Sequence, residues 1–192
     1  MDTHVIAAEV AAELGSDPDR AIGRDQFGAR LHRTPAEVAA ACELLRACGC
    51  IATDESGLTR LIPRERLSEL RLVLIAENST AVAHVVAALL EGEGYAVLIA
   101  RTLDLAVRVV RATAVSLVIA DSFAATASAA LQRLAELRDR ARPAPVLLFT
   151  GHRDVPEAAA RAAGYAGLLP KPFDIDELLA RVDSAMNGRA SA

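Results

Sequence analysis

From residue 71 onward the chain repeats one pattern five times: a short unbroken apolar run, then an amphipathic segment. The runs are RLVLIA, YAVLIA, VSLVIAD, APVLLFT and YAGLLP. A strand without polar alternation is dry on both faces, and connections of this length cross over a sheet instead of turning back as hairpins. The pattern therefore predicts an α/β unit of five strands and five helices, a doubly wound parallel sheet covered on both faces, with right-handed crossovers. Ser79 or Thr80 is expected to cap the first of these helices and Thr102 the second. Pro172 is expected to open the last, FDIDELLARVDSAM.

Such a sheet needs apolar volume, and 53% of the 192 residues supply it; aromatics are only 3%, so Ala, Leu and Val must do the packing. No apolar run reaches the roughly 20 residues of a membrane span. The opening MDTHVIAAEVAAELG is acidic and amphipathic, unlike a basic-then-apolar leader, so a cytoplasmic protein with no membrane partner is expected. Cys42, Cys48 and Cys50 are odd in number and clustered, with no Cys or His pair at finger spacing. They are expected to be reduced thiols used as small apolar groups.

Residues 1–63 follow another rhythm. Helices are expected near 3–14, 24–32 and 35–47, the third capped by Thr34 and stopped by Gly49, then a hairpin around Asp54-Glu55-Ser56-Gly57. Residues 64–70, RERLSEL, read as a short linking helix, 71–186 as the sheet domain and 187–192 as a frayed tail. Three helices closed by a hairpin resemble the winged-helix regulators. That resemblance puts the third helix in the DNA major groove and makes Arg30, Arg33, Thr34 and Arg60 the DNA-contact candidates, with Arg46 able to join them. Charge keeps open a second use of such a module, protein contact or homodimerisation: residues 1–70 hold eight arginines against twelve acidic residues, and DNA binders usually show a basic face.

In an open parallel sheet, ligands collect at the carboxyl ends of the strands. Glu77 and Asn78 follow the first run, Asp121 closes the third, Thr150 the fourth and Lys171 the fifth. Lys171 is the single lysine in a chain otherwise carrying only arginine as its permanent cation. Two carboxylates, an amide, a hydroxyl and an ammonium at one rim can hold a divalent cation and a phosphoryl group. No glycine-rich loop follows the first strand, which disfavours a nucleotide-dependent enzyme.

With LIAENS, LVIADS, LLFTG and PKPF at those ends, residues 71–186 resemble the receiver domain of two-component response regulators. The resemblance implies a flavodoxin-like sheet of order 2-1-3-4-5 and a signalling protein with no enzymatic activity of its own. It makes Asp121 the phosphoacceptor for a histidine kinase or phosphotransfer protein, assisted by Thr150 and Lys171. It also implies Mg2+ at Glu77, Asn78 and Asp121, and a cis Lys171-Pro172 bond. Three departures stand out. Asn78 replaces a second acid and weakens the metal site, SFAATASAAL replaces a proline-glycine loop after Asp121, and Leu168 stands where the family often has a switching aromatic. Two functions follow: a response regulator whose receiver controls the N-terminal output, or a pseudo-receiver adaptor that works without phosphorylation through protein contacts.

Overall fold

The computed structural model of the protein describes residues 2–17, 21–62, 71–123, 127–152 and 155–187. The expected linking helix at 64–70 and the tail beyond Asn187 lie outside these residues, as does part of the loop after Asp121.

In chain order the first elements are α1 (Thr3–Gly15), β1 (Ile22–Gly23), α2 (Arg24–Leu31), α3 (Pro35–Ala47), β2 (Ile51–Thr53) and β3 (Leu58–Leu61). The three strands form an antiparallel sheet of order β1-β3-β2. Local chemistry sets the boundaries. Thr34 accepts a hydrogen bond from the Glu37 amide while the Glu37 carboxylate accepts one from the Thr34 amide, a reciprocal cap with Pro35 in the first turn. Gly49, at φ 72°, ends α3: its amide donates to Arg46 and the Cys50 amide donates back to Leu45 at 2.8 Å. In the β2–β3 turn, Asp54 Oδ1 accepts from the amides of Ser56 and Leu58, and Gly57 supplies φ 81°.

The second set comprises β4 (Leu72–Ala76), α4 (Thr80–Gly92), β5 (Ala96–Ala100), α5 (Leu103–Ala112), β6 (Leu117–Asp121), α6 (Ala127–Arg133), α7 (Ala135–Ala141), β7 (Val146–Thr150), α8 (Glu157–Ala162), β8 (Gly167–Pro170) and α9 (Ile175–Asn187). Its five strands are parallel in the order β5-β4-β6-β7-β8, the anticipated 2-1-3-4-5. Alternate residues feed two layers. Val73, Ile75, Ile99, Ile119 and Phe149 pack with α4 and α9, whereas Leu74, Leu98, Val118 and Leu148 pack with α5 and α7.

Two expectations are corrected here. The third crossover is a pair of helices broken at Leu134, not one. The last helix begins at Ile175, where Asp174 accepts the Glu177 amide at 2.7 Å, so Pro172 precedes the start by more than a turn position.

α1 belongs to both sets. Val5, Ile6, Ala7, Ala8, Val10, Ala11, Ala12 and Leu14 are all buried, leaving only a narrow, half-buried polar stripe at His4, Glu9 and Glu13. It packs on α3 at one side and on α5 and the edge strand β5 at the other. One apolar cluster consequently runs from Phe27 and Leu45 through α1 into the α5 face of the parallel sheet.

Candidate functional site

β4, β6, β7 and β8 run side by side, so their carboxyl ends meet at one edge. The register pairs Ala76 with Ala120, Asp121 with Phe149, and Thr150 with Pro170. Glu77 leaves β4 with its amide bound to the Ala100 carbonyl at 3.0 Å, and its side chain is 1% exposed. Lys171 follows β8, its amide bound to the Thr150 carbonyl at 2.8 Å and its bond to Pro172 cis.

The Lys171 ammonium bridges the two carboxylates. Nζ donates to Glu77 Oε2 and, at 2.8 Å, to Asp121 Oδ1. Beneath it lies the Phe149 ring, its centroid 4.2 Å from Nζ, and Phe173 meets that ring edge-on at 5.0 Å. The remaining carboxylate oxygens are also held: Glu77 Oε1 accepts the Ser79 amide at 2.8 Å, and Asp121 Oδ2 accepts the Phe123 amide at 3.0 Å. Ser79 therefore begins α4 as a hydrogen-bond donor to Glu77, with no side-chain cap of its own. Two negative charges this close repel strongly in a partly dry site; the one ammonium bonded to both counters that repulsion and leaves a single net negative charge.

Of the other expected members, Thr150 is fully buried and its hydroxyl accepts the His152 amide at 3.0 Å. Asn78 sits at the same edge, exposed, its backbone carbonyl accepting a hydrogen bond from Arg101. Two participants escaped the sequence reading, Phe149 and Arg101. Arg101 directly follows the apolar run YAVLIA, so the strand-end rule applied to β5 would have found it. Phe149 lies within a run, where nothing in the pattern marks an aromatic as a platform for a cation.

The donor set suits a hard, oxygen-seeking cation such as Mg2+. Glu77 and Asp121 are near enough to share one ammonium, and the Asn78 amide is free of the core, although it contributes no charge. Among the described residues no group of three or more His, Cys, Asp or Glu side chains forms a ready-made metal cage.

The N-terminal candidates are engaged elsewhere. Arg30 pairs with Glu13 at 2.6 Å, and Arg33 grips Glu9 through two hydrogen bonds of 3.1 and 2.9 Å, both partners lying on α1. That grip raises the Arg33 pKa above its ordinary value. Thr34 is the cap of α3, Arg46 reaches Thr53, and Arg60 lies 3.4 Å from Asp54. Arg30 lies on α2, Arg46 on α3 and Arg60 on β3, each with a partner of its own.

Comparison with known proteins gives the following. The family model for the response regulator receiver domain matches residues 73–183. The transcriptional regulatory protein FixJ of Bradyrhizobium diazoefficiens is 39% identical over 57 residues, which is 29% of this chain and 28% of that protein. The chain thus spans less than a third of that relative. Among solved structures, the N-terminal domain of a response regulator/sensory box/GGDEF three-domain protein from Carboxydothermus hydrogenoformans aligns at TM-score 0.52 and 26% identity, covering 62% of this chain and 97% of that one. A response regulator from Burkholderia pseudomallei, with a phosphorylated aspartic acid, calcium ion and citrate, aligns at TM-score 0.51 and 24% identity, covering 63% and 72%.

Proposed function

The chain belongs to the response regulator receiver domain family, and from that premise we propose that Asp121 accepts a phosphoryl group from a histidine kinase or phosphotransfer protein and thereby controls the N-terminal module. The observation that carries the reading is the Lys171 bridge between Glu77 and Asp121. A carboxylate oxygen of Asp121 attacks phosphorus, the donor's nitrogen–phosphorus bond breaks, and its electron pair returns to the imidazole, leaving an acyl phosphate. Lys171 exchanges its bond with the carboxylate for one with a phosphoryl oxygen, and Thr150 turns its hydroxyl from the His152 amide to another. Mg2+, held by Glu77, Asp121 and the Asn78 amide, would supply charge neutralisation for the crowded oxygens. The Burkholderia relative with a phosphorylated aspartic acid supports the same use of the site.

Incubation with a small phosphodonor and Mg2+, followed by intact mass, tests this. A gain of one phosphoryl group that disappears in Asp121→Asn is expected; no gain in the wild-type protein favours the phosphorylation-independent adaptor.

For the N-terminal module the reading is a winged-helix output, supported by its three helices and its β1-β3-β2 sheet. The match to FixJ, a transcriptional regulatory protein, supports a role in transcription regulation. One observation favours protein contact or homodimerisation instead: Arg30 and Arg33 are neutralised by Glu13 and Glu9. A DNA titration across salt concentrations separates the two, since phosphate contacts make affinity fall steeply with salt.

A further inference from the structure

From the sequence the three cysteines are expected to be small apolar groups, and all three are buried. Two of them are more than filler. The helix stop at Gly49 folds the chain so that Cys48 and Cys50 face each other, with their Sγ atoms 3.1 Å apart. Backbone bonds hold that turn, Gly49 to Arg46 at 2.9 Å and Cys50 to Leu45 at 2.8 Å, so the sulfurs meet by design of the main chain. Cys42 lies elsewhere, within α3, and among the described residues no third ligand joins the pair to make a metal site.

We infer that Cys48 and Cys50 are a redox-active dithiol that hydrogen peroxide oxidises to an intramolecular disulfide. Cys48, 8% exposed, is the more accessible residue of the two; Cys50 is fully buried. The hydrogen bond from its neighbour lowers the Cys48 pKa. The same hydrogen bond, with burial, raises that of Cys50. Attacker and resolver are thus distinguished. The Cys48 thiolate attacks one peroxide oxygen, the O–O bond breaks, and the other oxygen leaves as water after taking a proton. Cys50 sulfur then attacks the Cys48 sulfenic acid, the S–O bond breaks and a second water leaves. Two thiols and one peroxide become one disulfide and two waters.

The position of the pair gives the chemistry a consequence. Closing the gap from 3.1 Å to the bonded length of about 2.05 Å draws the sulfurs together by roughly an ångström. Cys48 Sγ now donates to the Leu45 carbonyl at 3.3 Å, and Cys50 faces the hydroxyl of Thr113, the residue that ends α5 in the parallel-sheet domain. That hydroxyl is buried without a well-formed hydrogen bond among the described residues. The dithiol therefore sits in the seam between the two modules, and its closure alters what Thr113 meets.

The experiment uses the 192-residue chain, fully reduced, treated with hydrogen peroxide and then unfolded in an alkylating reagent. Cleavage after Arg46 separates Cys42 from the peptide Ala47–Arg60 that carries both other cysteines. The expected result is an Ala47–Arg60 peptide lighter by two hydrogens and free of alkyl groups, with Cys42 fully alkylated. Cys50→Ser should instead accumulate oxygen on Cys48, and hydrogen exchange at the last turn of α5 should change on oxidation of the wild type. Two alkyl groups on Ala47–Arg60 after a peroxide dose that oxidises an unfolded copy of that peptide would overturn the inference. So would a cross-link to Cys42, and unchanged exchange around Thr113 would remove the link between modules.

Discussion

Lys171 owes its place to the two carboxylates it separates. A compact ammonium fits between Glu77 and Asp121 above the Phe149 ring, where a broad guanidinium would have to displace one of them. Lys171→Ala leaves the Glu77 carboxylate buried without a counter-charge. Removing one partner of a fully buried pair costs about 3–5 kcal/mol. Lys171 is 24% exposed, so urea unfolding should register a smaller loss, roughly 2–3 kcal/mol. Glu157 offers a pH-dependent case. Hydrogen bonds from Arg181, then Arg161, lower its pKa below the ordinary 4.5. Because the folded value is the lower one, its contribution to stability is complete above 4.5 and is lost as pH falls through that lower value. Glu157→Gln should thus destabilise the protein at neutral pH and make little difference once the pH lies below the folded value, as denaturation at the two pH values would reveal. The polar rim was legible in the sequence because strand ends are marked by the change from apolar to polar residues. Phe149 was not, because an aromatic inside an apolar run looks like any other core residue.

At the scale of elements, boundaries were readable wherever a cap or turn residue has a mechanism. Thr34 and Gly49 delimit α3 where their chemistry requires, and Thr34→Ala should cost about 1 kcal/mol through the lost cap, visible as a lower Tm. β1 went unread, since two residues, Ile22 and Gly23, are too few to carry a period and only pairing with β3 makes them a strand. The break at Leu134 was hidden for a related reason: apolar spacing continues across it, and nothing local marks the interruption. Gly15 supplies a test of packing against propensity. A Cβ added there would lie 2.1 Å from the Ala112 Cβ, so α1 and α5 touch almost backbone to backbone. Ala normally gains about 1 kcal/mol over Gly in a helix interior. Gly15→Ala should nevertheless destabilise, by about 1–3 kcal/mol of overpacking, and Ala112→Gly in the same chain should return part of the loss.

For the whole molecule the governing feature is α1, an apolar helix shared by two modules whose cores merge through it. His4 with Glu91, His84 with Asp2, and Arg108 with Glu13 fasten the same helix to the parallel-sheet domain from its flanks. A change at the sheet's carboxyl edge therefore has a packed route to the N-terminal module through α5, β5 and α1. The full chain should unfold in one cooperative transition, with far-UV signal and calorimetry coinciding, whereas a fragment beginning at residue 71 should lose stability and associate through the uncovered β5 edge. The change in rhythm at residues 64–70 suggests two modules, while α1 packs against both α3 and α5; the clue to that sharing was the helix VIAAEVAAEL, apolar on too many faces to serve a single core. Signalling through this fold turns finally on the chemistry of one carboxylate, Asp121. Protein treated with a small phosphodonor and Mg2+, then reduced with borohydride, should yield homoserine at position 121 and nowhere else; homoserine at another residue, or aspartate intact at 121 under conditions that label a known receiver domain, would contradict it.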